Sequence, residues 1–130
     1  TSRVAKIGDV TFICATPLLG GGDNFALTYC TELTIQNNSG ETVKIAPEDI
    51  TCIFREADTE ETLYFKRNEL VAAPGQTAVY NGSQRFYLET KERIPEKNSP
   101  GIYELRVCYN GKTAVFLYGN NGKNVTGRVE

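Results

Sequence analysis

The chain has 130 residues, 40% of them hydrophobic, a formal net charge of −2 and no histidine, methionine or tryptophan. That length is one domain by default, and it suffices to bury about two thirds of the surface its unfolded form exposes. The near-balanced charge, without a basic run, argues against nucleic acid and anionic membrane surfaces, and no apolar run nears the ~20 residues of a spanning helix, so no membrane insertion is expected.

In chain order, turn residues recur at Gly8-Asp9, Pro17, the Gly-rich stretch 20–24, the Asn/Ser/Gly stretch 37–40, Pro47, Pro74-Gly75, Asn81-Gly82, Pro95, Pro100-Gly101, Asn110-Gly111 and 120–122. Short runs rich in Val, Ile, Thr, Tyr and Phe lie between them. This spacing predicts an all-β fold, a single sandwich of about 7–9 strands with little or no helix. Strands are expected over 10–15, 25–36, 42–45, 50–56, 62–65, 77–80, 85–90, 102–109 and 112–118. By period two, Phe25, Leu27, Tyr29, Leu33 and Ile35 share one face of the second, and Ile50, Cys52 and Phe54 share one face of the fourth. Pro47-Glu48-Asp49-Ile50 suits one helical turn. The charged stretch 56–61 lacks apolar periodicity and reads as a solvated loop, and 91–100 reads as a long connection. The domain is expected over 1–118, with 119–130 a polar tail, a linker or a weak edge strand.

Asn110-Gly111 is the strongest local signal. A type I′ hairpin turn needs positive φ at both central residues, which Asn and Gly accept at little cost. Pairing around it sets Tyr109 against Lys112, Val107 against Ala114, Leu105 against Phe116 and Tyr103 against Tyr118, all on one apolar side. The other side carries Ile102, Glu104, Arg106, Cys108, Thr113, Val115 and Leu117. This mixed side reads first as partly covered by the domain itself, and otherwise as meeting another protein, with Val115, Leu117 and Arg106 marking the candidate partner face.

Two stretches resemble bacterial immunoglobulin-like domains: LTIQNNSGETVKI (33–45), like an early strand running into a turn, and PGIYELRVCYNG (100–111), like a penultimate strand and its hairpin. The resemblance is to a fold pattern over about residues 25–118. It implies an immunoglobulin-like β-sandwich in which Tyr103 is a tyrosine-corner residue, its hydroxyl bonded to nearby backbone. The antibody Cys–Trp–Cys arrangement is absent, and Leu105 stands where the second Cys would be.

Cys14, Cys30, Cys52 and Cys108 are candidate disulfide formers. Cys14–Cys30 would close the first hairpin, and Cys52–Cys108 would join neighbouring strands. Face parity complicates both, because alternation sets Cys52 inward and Cys108 outward and places Cys30 opposite Leu33 and Ile35; a bulge could repair either, and otherwise the four are thiols acting as small hydrophobes. A four-cysteine zinc site lacks the usual close ligand pairs. A calcium loop from Asp58, Glu60 and Glu61 lacks the Asp/Asn-Gly spacing of such loops. No metal and no cofactor is expected.

Without histidine, Ser-His and Cys-His nucleophile pairs cannot form within the chain. The carboxylates Glu48, Asp49, Glu56, Asp58, Glu60 and Glu61 read as solubilising charges, so no catalytic residue is assigned. The 20–24 stretch lacks the Lys-Ser/Thr and helix of a phosphate loop. Asn37, Asn81 and Asn124 fit the N-glycosylation pattern, and Asn37 and Asn81 read first as turn residues. The start at Thr1 reads as a processed product or an excised domain. The expected function is a non-catalytic binding or interaction module of a secreted, periplasmic or cell-surface protein, with a protein or glycan partner. The alternatives are a carbohydrate-binding module using Tyr64, Tyr80 and Tyr87, or a small proteinase inhibitor using loops 18–24 and 92–99.

Overall fold

Asn110 and Gly111 adopt φ of 53° and 78° and reverse the chain between two eight-residue strands. The pairs are those expected: Tyr103 with Tyr118, Leu105 with Phe116, Val107 with Ala114 and Tyr109 with Lys112. Tyr103, Leu105, Val107, Ala114 and Phe116 are fully buried. The turn type fixes the register, and the register sends every second residue into the core.

The structure is a computed structural model that describes residues 3–20, 26–56, 59–92, 101–119 and 124–130. It is all-β, with fourteen strands. These are β1 (Val4–Ile7), β2 (Val10–Cys14), β3 (Leu18–Gly20), β4 (Thr28–Cys30), β5 (Glu32–Asn37), β6 (Val43–Ile45), β7 (Ile50–Glu56), β8 (Thr59–Phe65), β9 (Leu70–Ala72), β10 (Thr77–Asn81), β11 (Tyr87–Thr90), β12 (Ile102–Tyr109), β13 (Lys112–Gly119) and β14 (Val125–Val129). A single 3-10 turn, Pro47–Asp49, falls where one helical turn was expected, and a one-turn helix, α1, spans Gly82–Arg85.

A four-stranded sheet has the order β1-β2-β5-β10, and an eight-stranded sheet the order β14-β13-β12-β7-β8-β11-β4-β3. All pairs are antiparallel. Both sheets bury one face in a single apolar cluster. Phe12 of β2 meets Tyr109 of β12 edge-on at 6.0 Å, joining the sheets across it. The small β6–β9 pair adds Val43, Ile45, Leu70 and Ala72 to the same core.

Three strands pass from one sheet into the other: β2 into β3, β4 into β5, and β10 through α1 into β11. The middle crossing splits the run expected as one strand over 25–36 into β4 and β5, and β1, β3, β9 and β14 lie outside the expected strands, which together raise the number above the expected seven to nine. Buried Thr31 is the crossing point of the middle strand. Its hydroxyl donates to the Ala15 carbonyl at 2.7 Å, its N–H to the Phe86 carbonyl at 3.4 Å, and its carbonyl accepts from Gly82 N–H at 3.2 Å. On the opposite flank β14 meets β1. A Cβ at Gly127 would lie 2.6 Å from the Val4 carbonyl oxygen, so only glycine fits there.

Several expectations change. Residues 125–129, read as part of a tail, a linker or a weak edge strand, take the last of these forms, as β14 on β13. Residues 59–61, read as loop, begin β8, because Arg55 of β7 pairs with Glu60 across the ladder. Of the 18–24 loop, Leu18–Gly20 forms β3, while 21–25 lie outside the described residues, as do 93–100 and Asp58. Asn37 is a buried turn residue rather than an acceptor. Its amide nitrogen donates to the Glu41, Ala72 and Ala73 carbonyls at 2.7, 2.9 and 3.1 Å, and its oxygen accepts from Ser39 N–H at 2.9 Å. Asn81 and Asn124 are exposed.

Tyr103 departs from the tyrosine corner. Its ring is fully buried 4.9 Å from Phe54, and its hydroxyl has no hydrogen-bond partner among the described residues. An unbonded buried hydroxyl costs stability rather than adding it. Tyr103→Phe is therefore expected to match wild-type stability or exceed it by up to about 1 kcal/mol in urea unfolding. A loss of about 1–2 kcal/mol would restore a bonded corner.

Candidate functional site: the outer face of the long sheet

The face of the eight-stranded sheet turned away from the core is built by the outward residues of β8, β7, β12, β13 and β14. Register aligns them in rows. Glu60, Arg55 and Ile102 form one, Thr62, Ile53, Glu104, Leu117 and Thr126 the next, and Tyr64, Thr51, Arg106, Val115 and Arg128 a third.

A chain of ion pairs ties them together. Arg55 Nε donates to Glu60 at 3.0 Å, and its Nη1 to Glu104 Oε1 at 2.8 Å. Arg106 Nη1 donates to Glu104 Oε2 at 2.5 Å, and its Nη2 to Glu130 Oε1 at 3.0 Å. Arg128 closes the chain on Glu130. The end pairs are exposed and contribute little individually. Glu104 differs, because its side chain is only 8% exposed and each carboxylate oxygen receives its own arginine. Burial alone would raise its pKa. The hydrogen bonds from Arg106 and Arg55 outweigh burial and hold the carboxyl below the ordinary glutamate value.

The expected partner face is corrected by this arrangement. Val115 is fully buried although it lies on the outer side. Its cross-strand neighbours are Arg106 and Arg128, and the aliphatic stems of the two arginines can cover it while their heads reach Glu130. Leu117 is half-buried, and Arg106 is committed to Glu104 and Glu130. The exposed apolar residue here is Ile102, at 51%. The sequence hinted at the ladder: Glu104/Arg106 and Arg128/Glu130 are opposite charges two apart on strands, hence on one face. Their cross-strand partners needed the register.

All four cysteines are free thiols, so the candidate disulfides are not formed. β7 and β12 are neighbours, but Cys52 points inward opposite Leu105 while Cys108 is exposed beyond it on the outer side. Cys14 is buried and Cys30 half-buried, on opposite faces. No bulge repairs either parity. Cys14 Sγ lies 3.7 Å from the Tyr29 hydroxyl and 3.8 Å from the Thr31 hydroxyl. Burial pushes the Cys14 thiol up to about 11, with the Tyr29 and Thr31 contacts opposing it, and burial raises Cys52 well above the usual thiol value. Such thiols are poor nucleophiles.

Each tyrosine named for sugar stacking carries a cation over its ring: Lys91 on Tyr64 at 4.7 Å, Arg85 on Tyr80 at 4.8 Å and Arg67 on Tyr87 at 4.8 Å. Tyr80 also works within the fold, its hydroxyl bonding both the N–H and the carbonyl of Val71, at 2.7 and 2.9 Å. Beside Tyr64, residues Glu60, Glu61, Thr62, Thr90, Lys91 and Glu92 border an open depression of about 430 Å³. Glu48 and Asp49 are exposed in the 3-10 turn. Among the described residues, no three Cys, Asp or Glu side chains gather to hold a metal ion, and no helix is long and apolar enough to cross a membrane. Comparisons with family models, curated proteins and solved structures gave no match.

The folded Glu104 carboxyl titrates below its unfolded counterpart. The folded state therefore binds fewer protons than the unfolded one through that window, and stability rises with pH across it. The contribution is complete above about pH 4.3, the ordinary glutamate value, and is lost as the pH falls through the lowered folded value. Glu104→Gln is expected to be less stable than wild type by about 1–3 kcal/mol at neutral pH, where one arginine loses its acceptor to the amide NH2 and the bond from the other is weakened. Urea midpoints of the two proteins should converge as the pH falls below the ordinary glutamate range. A gap independent of pH would show that Glu104 is not ionised in the folded protein.

Proposed function

We propose that this domain is a non-catalytic binding module that docks a protein partner on the outer face of its eight-stranded sheet. The observation that carries this reading is the ion-paired ladder running from Glu60 through Glu104 to Arg128, which fixes long charged side chains beside the exposed Ile102. Charged side chains already held in place lose less freedom on binding and offer a partner a defined pattern of charge. Ile102 would be the apolar anchor, with half-buried Leu117 on the neighbouring strand and Arg55 on its other side.

The immunoglobulin-like kinship and the secreted, periplasmic or cell-surface location belong to the same proposal. Two antiparallel sheets over one core, with the β12–β13 hairpin in the larger, support the kinship. Burial makes Cys14 and Cys52 unreactive, so their core tolerates an oxidising compartment.

A photo-crosslinking residue placed at position 102 in the native cell should yield a discrete protein adduct, and the same residue at exposed Lys44 of β6 should not. Ile102→Asp should abolish retention of that partner. Equal adducts from both positions, none from either, or a glycan-array or protease-inhibition signal unchanged by Ile102→Asp would contradict the proposal.

A further inference from the structure

The corner where β10 crosses to β11 carries a second surface, of different chemistry. An open cleft of about 260 Å³ is lined by Arg67, Asn68, Glu69, Tyr80, Gln84 and Arg85. Both arginines are held in place by groups that carry no negative charge. Arg67 Nε and Nη2 donate to the Ser83 carbonyl of α1 at 2.9 and 2.5 Å, Nη1 donates to the Lys66 carbonyl at 2.9 Å, and the guanidinium carbon lies 4.8 Å from the centre of the Tyr87 ring. Arg85 lies 4.8 Å over Tyr80, and the Tyr80 ring is anchored through its hydroxyl to the backbone of Val71.

This is the reverse of the outer face. There Arg55, Arg106 and Arg128 are each neutralised by a glutamate. Among the described residues no carboxylate forms an ion pair with Arg67 or Arg85, and Glu69 lines the same cleft without pairing to either. A guanidinium has five N–H donors. Arg67 uses three of them on carbonyls, which leaves two, and Arg85 donates none to a described residue. Asn68 and Gln84 are exposed and add amide donors. With two arginines and one glutamate the lining carries a formal charge of +1. That balance suits one oxyanion rather than a long polyanion.

We infer that the cleft between Arg67 and Arg85 binds a single oxyanion group, a carboxylate, sulfate or phosphate, through two guanidiniums that stacking on Tyr87 and Tyr80 holds open to it. Fixed guanidinium forks match the planar or tetrahedral oxygens of such groups and bind them in bidentate fashion. The group can come from a free inorganic anion or from an acidic side chain of a partner. This site stands apart from the outer-face proposal and shares no residue with it.

The test is a nuclear magnetic resonance titration at low salt, following the arginine Nε–H signals and the side-chain amides of Asn68 and Gln84. The probes are inorganic phosphate, inorganic sulfate and a short glutamate-rich peptide. Saturable shifts at these groups are expected with at least one probe. A response to the inorganic anions places the source in free anions, and a response to the peptide alone places it in a partner. Arg85→Gln, at an exposed position, should weaken binding about tenfold or more, and Arg85→Lys, which keeps charge but loses the fork, should restore it only in part. Lys44→Gln, elsewhere on the surface, should bind as wild type. The inference is overturned if no probe gives saturable shifts up to on the order of 10 mM. It is equally overturned if Arg85→Gln and wild type respond alike.

Discussion

The passage of three strands between the two sheets is the constraint on which the rest of the molecule depends. A strand that leaves one sheet for another must change all its backbone partners at once, and a buried N–H or carbonyl left unpaired there costs free energy. Thr31 solves this by giving its hydroxyl, N–H and carbonyl each a main-chain partner, on Ala15, Phe86 and Gly82. Gly82 sits at φ 74°, a conformation that favours glycine, and lets the chain enter α1 beside the crossing. With the corner closed in this way the two sheets cannot separate into independent layers. Tyr29, next to the corner, then comes within 6.0 Å of Tyr103 on the central hairpin and 3.7 Å of Cys14.

The same constraint shapes the surface. Strands β3, β4 and β11 extend the larger sheet to eight by crossing over, beside the strands β8, β7, β12, β13 and β14 whose outward residues carry the charged rows. Glu104 sits near the middle of those rows, buried, with one arginine on each oxygen. A buried carboxylate is tolerated only with such partners, so the ladder is a condition of the fold as well as a surface pattern. At the corner itself, α1 supplies the Ser83 carbonyl that holds Arg67. The open arginine environment thus belongs to the crossing, and the neutralised one to the antiparallel register of strands that do not cross.

How much of this the sequence discloses follows from which signals are local. The Asn110-Gly111 turn and its register depend on two residues and a period of two, and both are legible. The opposed faces of Cys52 and Cys108 are legible for the same reason. The crossing at Thr31 is not. Leu27, Tyr29, Thr31, Leu33 and Ile35 all remain buried, so the alternation runs unbroken while the hydrogen-bonding partner changes sheet. Residues 59–61 looked like loop because their stabilising partner, Arg55, lies across a ladder rather than along the chain. Val125–Val129 stayed open between a tail, a linker and an edge strand because Gly127, which reads as a breaker, is the residue that allows close approach to Val4. The inferred face at Val115 and Leu117 followed correct alternation but could not show which long side chains lie over an outward residue.

Native-state hydrogen exchange tests the coupling of the sheets most directly. The account predicts that the most protected amides of β5, in the four-stranded sheet, and of β12, in the eight-stranded sheet, exchange through openings of the same free energy, equal to that of global unfolding. Thr31→Val, which removes the hydroxyl that bonds the Ala15 carbonyl, should lower both together. Exchange of β5 at a distinctly lower free energy, with β12 unaffected by the substitution, would mean that the sheets are separate cooperative units and would contradict the account.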